Sequence, residues 1–271
     1  MKIAITGGAG FVGRHLAERF DAADIVTVSR RTGVDIEDVE ALTRAFDGCE
    51  VVAHCAGINR EIGKQTYQKV HIDGTRTVIE AARRAGVTRI VMLSFLRARP
   101  DCGSPYHESK WAAEELLRNS GLDYTILKAG MIYGHGDHLV DHVSHSVQTI
   151  PLFATVGFRE KSIRPIPVSE MVDVLVASIE GKLPKSTVAV TGGEELMLSE
   201  VVHRVAQVVG RRVAVVLPFK VRLSLPGACH SGNLQQYFLG ANHVLSTEKK
   251  PQGKDLQTVH CPKSLGRPDL E

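Results

Sequence analysis

The fold of this chain is decided by the stretch Thr6-Gly7-Gly8-Ala9-Gly10-Phe11-Val12-Gly13. It follows a short apolar run at Lys2–Thr6 and opens a helical pattern from about Val12 to Ala22. Glycines at positions 7, 10 and 13 allow a tight turn, a close approach of backbone amides to a pyrophosphate, and close packing of helix on sheet. A glycine loop between a strand and a helix is typical of a dinucleotide-binding site, whereas an ordinary glycine turn needs no such context. We expect the cofactor to be bound by Gly7, Gly10, Phe11, Val12 and Gly13.

The rest of the first half alternates short apolar strands with helical patterns. Strands are predicted at Ile25–Val28, Val51–His54, Arg89–Ser94 and Tyr124–Lys128, and helices at Glu37–Phe46, Tyr67–Ala85 and Tyr106–Asn119. Parallel strands need helical crossovers between them. The alternation therefore predicts an α/β fold, a Rossmann-type doubly wound parallel sheet covered on both faces.

The pattern loosens after about Gly130, but two further helix–strand units are readable, each with a serine that can cap the helix. They are Glu170–Glu180 after Ser169, leading to Thr187–Thr191, and Glu200–Val209 after Ser199, leading to Val213–Leu217. We expect an NAD(P)-binding domain over 1–217, with a small C-terminal substrate lobe built from about 130–167 and 192–217. Residues 218–271 sustain no period and are predicted to form an irregular tail.

The composition argues against several classes of protein. The 33 Lys and Arg residues against 30 Asp and Glu give a net charge of +3, and the basic residues are scattered, so no nucleic-acid partner is predicted. No apolar stretch approaches the roughly 20 residues of a membrane span. The opening residues lack the apolar region of a signal peptide. Five cysteines without a Cys-x-x-Cys pair favour a reducing, cytoplasmic location.

Two arginines, Arg30 and Arg31, stand at the end of the second strand, where an acidic residue usually binds the ribose of NAD. Arginine pairs with phosphate in a bidentate manner. The sequence therefore favours NADP over NAD, with solvated surface arginines as the alternative interpretation. Asp35 lies too far past the strand for the ribose, and we expect Asp35 and Ile36 to contact the adenine.

Further motifs follow the glycine loop in a fixed order. They are His54-Cys55-Ala56-Gly57, Gly74-Thr75, Ser94, Tyr106-x-x-x-Lys110 and Tyr133-Gly134-x-Gly136-Asp137. Over about residues 1–217 the chain resembles the extended and atypical short-chain dehydrogenase/reductases of the NAD-dependent epimerase/dehydratase type. Within them it is most similar to the subgroup related to the NAD(P)-binding accessory subunit of mitochondrial complex I.

The resemblance implies a set of site residues, a small-molecule substrate and a homodimer. His54, Ala56 and Gly57 would line the cofactor, Lys128-Ala129-Gly130 would form the loop near the nicotinamide, and Ser94, Tyr106 and Lys110 would be the catalytic set. Two positions depart from the family pattern: Lys128-Ala129 stands where Arg-Pro is usual, and His71 stands where asparagine is frequent.

The Tyr106 and Lys110 pair suits hydride-transfer chemistry. Residues four apart on a helix share a face, and a nearby ammonium is expected to lower the tyrosine pKa from its usual value near 10. Tyr106 would then exchange a proton with the substrate oxygen, and Ser94 would donate a hydrogen bond to that oxygen. The sequence predicts an NAD(P)-dependent oxidoreductase or epimerase. The alternatives are a surface Tyr–Lys pair and a non-catalytic NAD(P)H-binding redox sensor or assembly subunit.

A group of histidines and aspartates follows the fifth strand: His135, Asp137, His138, Asp141, His142 and His145. Three of the histidines have helical spacing, which could place three imidazoles on one face. Ligands along a straight helix fit tetrahedral metal coordination poorly. No metal site is predicted, and we expect this segment to line the substrate entrance.

Overall fold

A computed structural model of the chain describes residues 1–149, 152–154, 162–183, 185–216 and 257–260. The described strands are β1 Ile3–Thr6, β2 Ile25–Val28, β3 Val51–His54, β4 Arg89–Phe95, β5 Asp123–Ala129, β6 Ile132–Tyr133, β7 Leu152–Ala154, β8 Ser162–Ile163, β9 Ile166–Pro167, β10 Ser186–Thr191, β11 Leu196–Met197, β12 Ala214–Val216 and β13 Gln257–His260. The described α-helices are α1 Phe11–Ala17, α2 Val39–Ala45, α3 Gly74–Arg84, α4 Pro105–Arg118, α5 His138–Thr149, α6 Val168–Ile179 and α7 Leu198–Val208.

The main sheet has the strand order β13-β10-β5-β4-β3-β1-β2, and every pairing in it is parallel. The chain leaves β1 toward β2 on one side and then returns to β3 on the other. In such a sheet the carboxyl ends of β1 and β3 border a crevice, the topological switch point where ligands bind. The predicted doubly wound parallel sheet is confirmed.

Side chains of the strands alternate between two apolar cores, one on each face of the sheet. Ile3 and Ile5 of β1 pack on one face against α1 and α6, while Ala4 between them packs on the other face against the layer of α2, α3 and α4. All three residues are fully buried. The sheet edge where β1 and β3 end is therefore held rigidly from both faces.

A small lobe stands beyond the carboxyl ends of β5 and β10. It contains α5, α7 and three two-stranded ladders, β6–β9, β7–β12 and β8–β11. Val143 and Val147 of α5 meet Val202 and Ala206 of α7, with Phe153 between them, in a separate apolar cluster. We refer to residues 130–149, 152–154, 162–167 and 192–216 as the small lobe.

Several element boundaries differ from the sequence prediction. Helix α1 ends at Ala17, because the chain turns and Phe20 packs back against the core. The predicted helix over Tyr67–Ala85 begins with a π-helical turn at Gln68–Asp73 before α3. Such turns are rare and frequently occur at functional sites.

The predicted serine caps are wrong. Helix α6 begins at Val168 after Pro167, because Val168, Met171 and Leu175 are drawn into the core. Helix α7 begins at Leu198, because the Glu200 carboxylate accepts a hydrogen bond of 2.5 Å from the Met197 amide. Ser169 and Ser199 thus lie within the first turns of their helices.

The predicted irregular tail contains at least one regular element. Gln257–His260 pair with Val188–Thr191 at the edge of the main sheet, so these four residues are ordered as a strand. The remainder of 218–271 lies outside the described residues, as does Leu217. Among the helices that the structure describes, none has the length and apolarity needed to cross a bilayer.

Candidate active site at the sheet edge

The glycine loop after β1 is pressed against the loop after β3. Gly7 has φ +69°, and a Cβ atom on it would lie 2.7 Å from the backbone N and Cα of Ala56. A Cβ atom on Gly13 would lie 2.3 Å from the carbonyl oxygen of Gly7. No side chain fits at either position, so the glycine loop lies directly between the loop after β3 and the start of α1. Binding of a pyrophosphate by the amides at the start of α1 stays a prediction. Val12 packs into the core, so only its backbone can face this cradle.

The two predicted phosphate-binding arginines lie next to the glycine loop. The amide of Gly8 donates to the carbonyl oxygen of Val28 (3.3 Å), which ties the loop to the end of β2. Arg30 and Arg31 follow in a short 3₁₀ turn capped by Ser29, and both are exposed. Within the described ranges neither guanidinium forms a hydrogen bond or an ion pair, so both are available to a phosphate group.

Asp35 and Ile36, predicted to contact the adenine, are engaged in local structure. The Asp35 carboxylate accepts the amide hydrogen of Glu37 (3.0 Å). Ile36 packs closely over α3, since a Cβ atom on Gly74 would lie 3.2 Å from three of its side-chain carbons. Both residues border the β2 side of the crevice, and their contact with an adenine stays a prediction.

His54 is a buried, neutral histidine that ties the ends of β1 and β3 to α3. Its Nδ1 lies 2.7 Å from the Thr6 hydroxyl and its Nε2 lies 3.0 Å from the Thr75 hydroxyl. The Thr75 hydroxyl donates its own hydrogen to the His71 carbonyl oxygen, so Nε2 of His54 carries the ring hydrogen. Burial, and secondarily Lys110, lowers the pKa of His54 to about 3. Because both nitrogens are used inside the protein, a cofactor contact from His54 can come only from its backbone.

His71 organises the other side of the site. The Ile58 amide donates to His71 Nε2 (3.1 Å), so Nδ1 carries the hydrogen and donates it to the Ser109 hydroxyl (2.8 Å). Ser109 in turn donates to the Tyr106 carbonyl oxygen (2.9 Å). Burial, followed by the Lys110 charge, lowers the pKa of His71 to about 2. His71, which stands where the family often has asparagine, thus joins a relay of hydrogen bonds from Ile58 through Ser109 to Tyr106. This relay fixes the loop after β3 relative to the start of α4.

Lys110 brings α4 to the crevice. Its ammonium lies against the loop after β3, since a Cβ atom on Gly57 would lie 2.8 Å from Nζ. The side chain is buried, and no hydrogen bond or ion pair to it occurs among the residues the structure describes. Burial lowers the pKa of Lys110 to about 8, against the opposing influence of Glu114 and Cys55. An ammonium without a protein partner at this edge is suited to binding hydroxyl groups of a ligand.

Tyr106 sits half-buried in a cluster of aromatic rings. Its ring centroid lies 5.5–5.7 Å from those of Phe95, Tyr67, His71 and His107, each in an edge-to-face arrangement. Burial, followed by Tyr67, raises its pKa, and Lys110 is not among the groups that shift it. The expectation that Lys110 lowers this pKa is therefore wrong for this structure. At neutral pH the phenol carries its proton.

Ser94, at the end of β4, is bonded to a neighbouring helix. Its hydroxyl donates a 2.5 Å hydrogen bond to Glu114, a fully buried carboxylate on α4. Glu114 also accepts from Lys128 (3.1 Å) and Arg118 (2.8 Å), and Lys128 donates to the Ala98 carbonyl as well. Because the Ser94 hydroxyl is used inside the protein, its predicted role as the donor to the substrate oxygen stays a prediction. The sequence reasoning missed Glu114, although its place four residues after Lys110 on the same helix face was a usable signal.

The backbone at the end of β5 supports the loop predicted to lie near the nicotinamide. Ala129 is buried, and its carbonyl oxygen accepts the amide hydrogen of Leu96 (2.8 Å). The Gly130 amide donates to the Val190 carbonyl oxygen (3.1 Å). These bonds join β5 to its neighbours at the sheet edge that carries the glycine loop, and a contact between Ala129 and the cofactor stays a prediction.

The histidine-rich segment forms α5, as its spacing predicts. Asp137 precedes the helix, and its carboxylate accepts the amides of Gly134 (2.9 Å) and Val140 (2.7 Å). His142 and His145 are exposed. Among the side chains that the structure describes, which leave out His138, no three histidine, cysteine or acidic groups converge as metal ligands do.

This sheet edge, with its glycine cradle and polar crevice, defines a Rossmann-type nucleotide-binding protein. Residues 7–148 match the model of a family described as NAD(P)H-binding, and the chain belongs to that family. Among its relatives, a ceramide reductase of Caulobacter vibrioides is 34% identical over 151 residues, which are 50% of this chain and 47% of that protein. An L-arabinose 1-dehydrogenase (NAD(P)(+)) of Haloferax volcanii is 35% identical over 102 residues, 34% of this chain and 40% of the relative. The matches therefore span about half or less of the length of these relatives.

Solved structures have the same fold. The protein MoeE5 in complex with UDP-glucuronic acid and NAD has a TM-score of 0.68 at 23% identity and covers 80% of this chain and 85% of its own. A dTDP-4-dehydrorhamnose reductase of Bacillus anthracis in complex with NADP has a TM-score of 0.66 at 19% identity, over 84% of this chain and 88% of its own. The fold is thus that of NAD-dependent epimerases and dehydratases, as the motif order indicated.

Proposed function

We propose that the chain is an NADP-preferring oxidoreductase that transfers a hydride between NADP(H) and a carbonyl or alcohol substrate. The observation that carries this proposal is the position of the Lys110 ammonium against Gly57. Gly57 follows Ala56, the residue on which Gly7 of the glycine loop packs. The Tyr106-x-x-x-Lys110 face of α4 is therefore one loop away from the pyrophosphate cradle, at the switch point of the sheet.

Each side chain of the pair has a separate task. A bound nicotinamide supplies or accepts the hydride. Lys110 binds the hydroxyl groups of the neighbouring ribose, because its ammonium offers three donors that none of the described residues uses. Tyr106 transfers the proton to or from the substrate oxygen, and its backbone is held in place by the relay through Ser109 and His71.

The protonation of Tyr106 favours reduction over oxidation. Because burial raises its pKa, the phenol is protonated at neutral pH and can donate to a carbonyl oxygen. Oxidation of an alcohol would require Tyr106 to start as a phenolate, and burial in the aromatic cluster disfavours that charged form. The ceramide reductase among the relatives agrees with a reductive role. The match spans 47% of that protein, so its substrate is not assigned to this chain.

The preference for NADP is proposed from Arg30 and Arg31. The two guanidiniums follow β2, the strand whose end binds the adenosine ribose in this fold, and no carboxylate replaces them at the strand end. A 2′-phosphate offers both a full negative charge and bidentate acceptors.

A second candidate is a module that binds NAD(P)H without turning over a substrate. It is favoured by Ser94, whose hydroxyl is used by Glu114 and not presented to a substrate. The deciding experiment is a panel of aldehydes and ketones with NADPH, comparing the wild type with Tyr106→Phe. Turnover that the variant loses while NADPH still binds supports the oxidoreductase. Equal, background consumption of NADPH by both proteins would establish the binding module.

A further inference from the structure

A cavity of about 440 Å³ lies in the small lobe, between α5, α7 and the chain that leaves β5. Its size is within the range of small-molecule sites. Much of its wall is aliphatic, including Met131, Val140, Val143, Leu196, Val201 and Val205. Apolar walls of this kind gain free energy by removing hydrocarbon from water.

The wall of the cavity and Tyr106 are connected through the paired ends of β4 and β5. Met131 stands two residues after Ala129, and the Ala129 carbonyl accepts the Leu96 amide (2.8 Å). Leu96 follows Phe95, whose ring contacts Tyr106 at 5.5 Å between centroids. The apolar cavity and the tyrosine therefore flank the same short segment, where β4 and β5 end side by side.

The polar groups of the cavity carry a net negative charge. Arg204 forms two hydrogen bonds to Glu194 (2.8 and 2.6 Å), which neutralise its guanidinium. Glu170 is half-buried, and its carboxylate forms no hydrogen bond or ion pair with the described residues. Burial, followed by Glu170 and Glu194, raises the pKa of Tyr133, which therefore stays a hydrogen-bond donor. A diphosphate would be repelled here, whereas a hydroxyl or amide would find a donor and an acceptor.

We propose that this cavity binds an uncharged amphipathic substrate, with its hydrocarbon chain between α5 and α7 and its polar group at Tyr133 and Glu170. Turnover of this ligand as a substrate rests on the oxidoreductase function proposed above, whereas its binding in the cavity does not. Nucleoside diphosphate sugars, which the same fold can bind, are excluded by the acidic lining and by the scarcity of hydrogen-bonding walls.

The chain-length dependence of binding tests the cavity in the wild-type protein. Nile red, an uncharged apolar dye, is bound to the full chain and displaced by straight-chain 2-ketones from butan-2-one to undecan-2-one. Each added methylene is expected to tighten binding by about three- to fourfold until the cavity is filled, which corresponds to about 0.8 kcal/mol per methylene. An affinity that does not change with chain length would overturn the proposal.

The charge of the lining is tested with a matched pair of ligands. Decan-1-ol is expected to displace Nile red at a concentration at least tenfold lower than decanoate, and Glu170→Gln is expected to narrow that ratio. UDP-glucose should leave the dye bound. Displacement by UDP-glucose at concentrations similar to those of decan-1-ol would contradict the proposed ligand class.

Variants on α7 localise the binding. Val208 lines the cavity and is 87% exposed, so Val208→Asp is not expected to disturb folding, whereas Gln207→Asp adds the same charge to an exposed neighbour outside the lining. Val208→Asp should weaken the binding of undecan-2-one at least fivefold, and Gln207→Asp should weaken it less than twofold. Equal effects of the two variants would show that the ligand binds outside this cavity.

NADPH titration of each protein separates the proposed function from the proposed cavity. Loss of NADPH binding alone contradicts the oxidoreductase function, and loss of the chain-length dependence alone contradicts ligand binding in the cavity.

Discussion

The Ser94 hydroxyl donates a 2.5 Å hydrogen bond to Glu114 Oε1, part of a carboxylate on α4 that is fully buried. Glu114 is fully buried and also accepts from Lys128 and Arg118, so one negative charge is matched by two cations and a hydroxyl. A buried carboxylate with this many donors stabilises the contact between α4 and the strands β4 and β5. Its removal would leave a buried ammonium without its partner.

Glu114→Ala is expected to lower the free energy of unfolding by about 3–5 kcal/mol, because the Lys128 ammonium would remain buried without a counter-charge. Ser94→Ala should cost about 1–3 kcal/mol, since the carboxylate loses one of its donors. Urea unfolding measures both. Glu115→Ala is the matched control, since the Glu115 carboxylate is partly exposed and pairs with Arg118, and its cost should stay below about 1 kcal/mol. A Glu114→Ala cost as small as that of the control would contradict the network.

Tyr106→Phe is expected to lower kcat for carbonyl reduction by about 10²–10⁴-fold, the range for loss of a positioned proton donor. The dissociation constant of NADPH should change by less than about threefold, because the ring packing is kept. Steady-state kinetics and calorimetry give the two numbers. Tyr67→Phe removes a hydroxyl from the neighbouring ring and serves as the control. A kcat that is unchanged in Tyr106→Phe would remove Tyr106 from the mechanism.

Replacing both Arg30 and Arg31 by alanine is expected to reduce the ratio of NADPH to NADH affinity by about tenfold or more, since each charge-assisted bond contributes about 1.5–3 kcal/mol. The affinity for NADH should hardly change. Arg211→Ala is the control, because Arg211 is also exposed but lies in the small lobe. Fluorescence titration with both nucleotides measures the ratio, and an unaltered ratio would show that the arginines do not discriminate.

Stability is expected to fall as the pH decreases below about 6.5. The pKa values of His54 and His71 are lowered to about 3 and about 2, so both remain neutral in the folded chain while they become protonated in the unfolded chain. Below pH 6.5 the unfolded state binds more protons, and each histidine costs about 1.4 kcal/mol of stability per pH unit. The cost grows as the pH falls from about 6.5 toward 3.

Urea unfolding between pH 7 and pH 4.5 checks this dependence. His71→Asn should reduce the pH slope by about half, since it removes one of the two suppressed titrations. His142→Asn changes an exposed histidine on α5 and should leave the slope unaltered. A wild-type slope no larger than that of a protein without buried histidines would show that both rings take up protons in the folded state.

Local sequence patterns were sufficient to predict the glycine loop and the strands that precede the site. Gly7 and Gly13 occupy positions that no other residue fits, and the reason is contained in the short segment between β1 and α1 together with one contact to Ala56. The strands β2 and β3 were predicted with their observed bounds, because a short run rich in valine and isoleucine between turn residues has few other solutions.

The roles of individual side chains depend on hydrogen bonds to residues that are distant in the sequence. Ser94 and Glu114 are 20 residues apart, and His71 and Ser109 are 38 residues apart, so neither bond leaves a periodic trace in the sequence. The same holds for the pKa of Tyr106, which depends on burial among rings drawn from β4, α4 and the turn before α3.

The sequence by itself determined the parallel sheet, the dinucleotide cradle and the side of the sheet on which chemistry can occur, because these follow from periodicity and from glycines that local geometry requires. Only the tertiary structure decided that the Ser94 hydroxyl bonds a buried carboxylate, that burial raises the pKa of Tyr106 and that an apolar cavity lies between α5 and α7. Hydrogen bonds, burial and cavities are properties of groups brought together by packing, and neighbours in space that are distant in the chain leave no local signal.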